Sequence, residues 1–215
     1  PFILEENSKD IRAAQDSGIS QAMIDRLTLT QDRISGMADG LRKVASGENP
    51  VGKVLWGETR PNGLKIFCSR VPIGVIAIIY EARPNVTVDA AALCLKTGNA
   101  TVLRGGKEAA STNLCLVEIM RSCIADAGIS PDVLGFVSPE LGYEGADALM
   151  EARGLVDVLI PRGGKGLIKA CNGTAAIEQA HQWSKSVFDD FVNNSEPDTE
   201  KLELLKKIAE KLPFE

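Results

Sequence analysis

Apolar residues recur at a spacing of three and four through about the first 45 positions, then from Ile73 onward gather into short unbroken runs. The first spacing predicts helices. Ile3, Leu4, Ile11 and Ala14 share one helical face, and Gly18 is placed to end that helix. Ser20 is placed to cap a second helix over SQAMIDRLTL. TQDRISGMADGLRKVASGENP predicts a third that stops near Gly47 and Pro50. Next, GKVLWGETRPNGLKIFCSRVP predicts two β-segments joined at Asn62-Gly63, a dipeptide suited to tight hairpins.

From Ile73 the pattern alternates. GVIAIIYE is an unbroken, β-branched run, as expected of a strand buried on both faces. VTVDAAALCLKTG predicts a helix ending at Gly98, ATVLRGG a strand, and EAASTNLCLVEIMRSCIADAG a helix ending at Gly128. VLGFVS, GADALMEAR and VDVLIPRGG continue as strand, helix and strand. Such alternation predicts an α/β fold: a doubly wound, mostly parallel sheet with flanking helices. The expected organisation is N-terminal helices plus this α/β domain over residues 1–168, then a small, polar, linker-like stretch over 169–176. Two helices over 177–215 are expected to pack on the same domain.

Composition narrows the function classes. With 44% hydrophobic and 25% charged positions, the chain reads as soluble and globular. Its 24 basic and 29 acidic residues leave a net charge of −5, which argues against a nucleic-acid partner. The best apolar run, VIAIIY, is strand-length, so no membrane partner is expected. No signal peptide is expected either, and the lack of an initial methionine predicts a fragment or a processed form. The five cysteines have no CxxC spacing. They read as reduced thiols of a cytoplasmic protein, with Cys94, Cys115 and Cys123 in the core. The single histidine, His181, leaves no histidine cluster for zinc, and no metal is expected.

Three stretches carry candidate chemistry. In LRGGKEAAS, Gly105 and Gly106 leave room for a ligand against the backbone, and the helix start that follows offers free N–H groups. Arg104 and Lys107 offer a ribose contact and a phosphate partner. An ordinary strand-to-helix turn explains the same residues equally well. IPRGGKGLI repeats the device with Arg162, Gly163, Gly164 and Lys165. Strand ends in a parallel sheet share the edge where ligands bind, so the pair favours a nucleotide or phosphate site. In YEARPNVT, Asn85 at a helix start either donates to a reacting carbonyl oxygen or serves, like Thr87, as a cap. Spacing favours the cap, with Glu81 and Arg83 as an ion pair.

RVPIGVIAIIYEARPNVTVDAAALCLKTGNATVLRGGKEA, followed by VDVLIPRGGKGLI, resembles the gamma-glutamyl phosphate reductase family of the aldehyde dehydrogenase superfamily, over roughly residues 1–168. The resemblance implies an aldehyde-dehydrogenase-like, Rossmann-like cofactor-binding domain. It implies reduction of L-glutamate 5-phosphate by NADPH to L-glutamate 5-semialdehyde, with release of phosphate, in proline biosynthesis. In that chemistry a cysteine attacks the acyl phosphate, and the thioester takes hydride from the nicotinamide. By the same resemblance Arg104, Gly105, Gly106 and Lys107 match positions at the adenosine ribose. Arg162, Gly163, Gly164 and Lys165 match a glycine turn near the pyrophosphate, and Asn85 matches an asparagine that stabilises the oxyanion. Glutamate 5-kinase and further copies of the chain are the implied partners.

The resemblance stops after Ile168. The family's catalytic cysteine lies in a VCNAAET-like motif of a later domain without a counterpart here. Cys171, in ACNGTAA, is a weak stand-in, better suited to a linker or a helix start. Family members also carry a helix like TEKLELLKKIAEKL before, not after, a segment like FILEENSKDIRAAQDSGIS. The order here predicts a circular permutation joined through KACNGTAA. Three readings follow: the cofactor-binding part of the reductase without its nucleophile, a compact reductase using Cys171, and a non-catalytic scaffold or oligomerisation fragment.

Overall fold

A computed structural model describes residues 2–172. The helices expected over 177–215, and His181, lie outside the described residues. Three helices come first: α1 (Phe2–Asp16), α2 (Gln21–Leu27) and α3 (Gln31–Ser46). Gly18 ends α1 with φ of 70°, and its N–H reaches Gln15 O at 3.0 Å. Ser20 is the N-cap residue of α2, although its side chain makes no cap bond. Thr30 caps α3 by accepting from the Arg33 N–H at 3.2 Å.

Buried polar groups dock these helices on the sheet domain. Asp10 accepts from the Ser111 N–H at 3.1 Å, the Thr112 N–H at 2.8 Å and the Thr112 hydroxyl at 2.6 Å. Asn7 donates to Leu27 O at 2.9 Å and accepts from the Leu29 N–H at 2.7 Å. These bonds fix the position of α2, which is too short to hold itself.

Strands β1 (Val54–Thr59) and β2 (Lys65–Ser69) form the expected hairpin, turned by Gly63 with φ of 83°. The hairpin is open to solvent, with Trp56 53% and Phe67 62% exposed. The main sheet holds β3 (Val75–Tyr80), β4 (Ala100–Arg104), β5 (Leu134–Phe136) and β6 (Val158–Arg162). All pairs are parallel, in the order β5-β4-β3-β6. Flanking them are α4 (Pro84–Lys96), α5 (Ala110–Asp126), α6 (Gly142–Glu151) and α7 (Lys165–Asn172).

Side chains of β3 alternate between two cores. Ile76, Ile78 and Tyr80 pack with Val86 and Ala91 of α4 and Val117 of α5. Ala77 and Ile79 pack with Ala146, Leu149 and Met150 of α6 and with Cys171 of α7. The chain winds from β3 through β4 to β5, then returns by α6 to β6 on the other side of β3. The connections after β3 and β6 therefore diverge, and such a switch point opens a crevice at the carboxyl ends of the strands.

Two expectations need correction. Residues 169–172 of the linker-like stretch belong to α7. Cys123 is exposed, whereas Cys94 and Cys115 are buried and burial pushes their thiols up. Cys123 precedes the buried Ile124, and one residue turns a helix by about 100°.

Candidate functional site

A crevice of about 360 Å³ opens at the switch point. It is lined by the end of β3 from Tyr80 to Arg83, by the β6–α7 turn at Arg162, Gly163 and Gly164, and by Met23 and Arg26 of α2. The register Tyr80↔Arg162 brings the first two segments side by side. Tyr80 is tied by its hydroxyl to Thr87 at 2.6 Å, and burial pushes its phenol up to about 12. Thr87 in turn donates to Asn113 Oδ1 at 2.8 Å. This buried chain braces the strand end beneath the crevice.

Glu81 is the acidic group of the crevice. Its Oε1 accepts from the Gly164 N–H at 2.8 Å, at the start of α7. A Cβ on Gly163 would lie 2.7 Å from the same oxygen and 2.9 Å from Leu167 Cδ2. Close approach of Glu81 therefore explains that glycine, with no unusual φ involved. Arg26, Arg83 and Arg162 line the crevice with it, so cations outnumber acids there.

A second crevice, of about 410 Å³, adjoins the first. It lies among α2, α3 and the start of α4, and Arg26 and Arg83 line both. Asn85 and Asp89 line the second.

The structure sorts the residues singled out in the sequence. Arg162, Gly163 and Gly164 line the switch-point crevice, and Lys165 is exposed at the start of α7. Asn85 lines the neighbouring crevice. Arg83 is the N-cap residue of α4 and Pro84 occupies the first turn, so neither Asn85 nor Thr87 is the cap. Glu81 bonds to Gly164 rather than pairing with Arg83. Arg104, Gly105, Gly106 and Lys107 line neither crevice. Gly105 is packed under Asn113 and Tyr80, and Gly106 beside Glu108 and the Ala82 backbone. The Arg104 guanidinium donates to Gly105 O at 3.1 Å and Gly142 O at 2.8 Å, tying β4 to α6. Lys107 is exposed, and its ammonium has no hydrogen-bond or ion-pair partner among the described residues.

Cys171 sits in the last turn of α7, fully buried in the apolar core, where burial pushes its thiol up. A nucleophile needs the opposite: access and a stabilised thiolate. Neither a linker nor a helix-start position describes it. Among the described residues no group of His, Cys, Asp and Glu is arranged to hold a metal ion, and no helix is long and apolar enough to cross a membrane.

Met23 and Arg26 are crevice residues that the sequence did not flag, and Glu81 was flagged only as an ion-pair partner. Arg26 carries no local signal, since a lone arginine on an amphipathic helix reads as solvent-facing.

Residues 4–165 match the aldehyde dehydrogenase family. The chain belongs to that family. This aldehyde dehydrogenase-family chain is 53% identical over 175 residues to a gamma-glutamyl phosphate reductase of Thermobifida fusca, covering 81% of itself and 42% of the relative. A gamma-glutamyl phosphate reductase of a Geobacillus species is 47% identical over 176 residues, with 82% and 42% covered. The crystal structure of the Thermotoga maritima gamma-glutamyl phosphate reductase superposes with a TM-score of 0.75 at 37% identity, over 80% of this chain and 42% of that one. The chain thus spans about two fifths of the length of the curated relatives it matches.

Proposed function

We propose that this chain is the cofactor-binding part of an NADPH-dependent reductase that converts L-glutamate 5-phosphate to L-glutamate 5-semialdehyde and phosphate. The observation that carries the reading is the cation-lined, glycine-walled crevice at the β3/β6 switch point, in a chain whose relatives bear that name. The crevice suits a dinucleotide in three respects. Its volume falls in the range of small-molecule sites. At Gly164 the wall is open: even a Cβ there would meet no backbone, only Glu81 Oε1 at 3.5 Å. Arg162, which lines this crevice alone, supplies charge for phosphates. The one obstacle is Glu81, a flexible side chain that must leave the Gly164 N–H before an anion takes its place.

NADPH supplies the hydride for the reduction. The chain's own residues bind and orient it: Arg162, Gly163, Gly164 and Lys165 at the phosphates, Lys107 and Arg104 toward the adenosine ribose. Asn85, one crevice away, is the donor for the carbonyl oxygen of the substrate. The burial of Cys171 argues against a compact reductase that uses it as nucleophile, so the chain on its own is inactive. The exposed hairpin with Trp56 and Phe67 supports self-association. Glutamate 5-kinase, which makes the acyl phosphate, is the partner enzyme this reading implies, and the cytoplasm its compartment.

Titration with NADPH should raise the melting temperature, because a ligand that binds only the native state stabilises it. At a concentration about 100 times Kd the rise should be roughly 5–10 °C. No rise at millimolar NADPH would favour the scaffold reading instead. Exposed and unpartnered, Lys107 is the cation expected to sense the 2′-phosphate. Lys107→Glu should weaken NADPH roughly fivefold more than NADH. Equal losses for the two cofactors would remove Lys107 from that role.

A further inference from the structure

Arg26 and Arg83 stand where the two crevices meet, since each lines both. Neither guanidinium has a hydrogen-bond or ion-pair partner among the described residues. Other arginines do: Arg33, Arg42, Arg60 and Arg121 each lie within 3.4 Å of a carboxylate oxygen. The acids nearby are largely committed elsewhere. Asp25 is held by Arg33 at 3.1 Å and Glu81 by the Gly164 N–H at 2.8 Å, which leaves Asp89 as the remaining carboxylate of the second crevice. Asn85 adds an exposed amide on the same side, in the first turn of α4. Two unpaired guanidiniums beside a neutral hydrogen-bond donor match an acyl compound with an anionic end: the guanidiniums take the anion and the amide takes the carbonyl oxygen.

We propose that Arg26 and Arg83 form an anion clamp that holds the charged end of a phosphorylated carboxylic acid in the second crevice, while the cofactor occupies the first. The clamp rests on the reductase reading for the identity of its ligand, but its anion binding is measurable alone. It also gives α2 a function: the Asn7 bonds to Leu27 and Leu29 set α2 where Arg26 lines the same two crevices as Arg83.

The test is calorimetric titration of the full chain with inorganic phosphate, the anion the reaction would release. Wild type is compared with R26Q, R83Q and, as a control outside both crevices, R42Q, in the absence and presence of NADPH. Phosphate should bind wild type. Each of R26Q and R83Q should weaken it about tenfold, with R26K and R83K restoring most of the loss. R42Q, at an arginine that lines neither crevice and is paired with Asp39, should leave phosphate binding within about twofold, and NADPH should not displace it. Absence of phosphate binding to wild type, or unchanged binding in R26Q and R83Q, would overturn the clamp. So would displacement of phosphate by NADPH together with parallel loss of NADPH affinity in R26Q and R83Q, because the arginines would then serve the cofactor. Failure of NADPH itself to bind wild type would instead count against the reductase reading and leave the phosphate comparison standing. Both side chains are exposed and unpartnered, so folding should be unaffected, as circular dichroism would verify.

Discussion

Replacing Asp10 with alanine is expected to cost about 4 kcal/mol and to lower the melting temperature by roughly 8–16 °C. The carboxylate is 6% exposed and accepts three hydrogen bonds at the start of α5. Two come from backbone N–H groups of Ser111 and Thr112, which have no other partner so early in the helix. The third comes from the fully buried Thr112 hydroxyl. Alanine strands all three donors where little water can reach them, so the loss combines a missing helix cap with unsatisfied buried groups. Asp10→Asn keeps an acceptor oxygen and the shape, and should recover about half of the loss. Thermal and urea unfolding of the three proteins would measure this. A fall of only about 2 °C for Asp10→Ala would mean that the donors find other partners.

The same cluster shows why part of the site was hidden in the sequence. Asn7 sits three residues after Leu4 and four before Ile11, inside the apolar stripe of α1. A polar residue at such a position is the one local sign that the stripe meets polar groups. What it meets lies 20 and 105 residues away, at Leu27 and Thr112, and no spacing rule reaches that far. Arg26 inherits its place from those contacts. The sheet was legible because its signals are local. The β-branched run of β3 needs two buried faces, and Gly18, Gly98 and Gly128 each adopt the positive φ that a helix end favours. Asn85 was misjudged although the deciding signal was present: a proline in the first helical turn makes the residue before it the cap. Glu81 was misjudged for a different reason. Arg83 is two residues away in sequence, but the backbone of β6 runs beside β3 and delivers a nearer donor in Gly164.

Gly105→Ala is expected to destabilise the protein by about 3 kcal/mol, roughly 6–12 °C in melting temperature, whereas Gly163→Ala should cost less than about 1 kcal/mol. In sequence the two glycines are twins, each following arginine at the end of a strand. Neither needs a positive φ, so the difference lies in what an added methyl would meet. At Gly105 it would overlap the Asn113 amide nitrogen and come within 3.2 Å of the Tyr80 ring. Asn113 is fully buried and holds Thr87, which holds Tyr80, so none of the three can shift without breaking a buried hydrogen bond. At Gly163 the methyl would meet Glu81 Oε1 and Leu167 Cδ2, both at the ends of flexible side chains. Glu81 is exposed and can swing away at the loss of a single bond to the Gly164 N–H. Gly163→Ala should therefore act on ligand binding instead, by releasing Glu81 and narrowing the crevice wall. Chemical denaturation and NADPH titration of both variants separate the two effects. Comparable destabilisation by both would mean that Glu81 is held more firmly than one hydrogen bond allows. If the expected pattern holds, the turn after β4 is glycine-rich because protein fills it, and the turn after β6 because a side chain that must move lies across it.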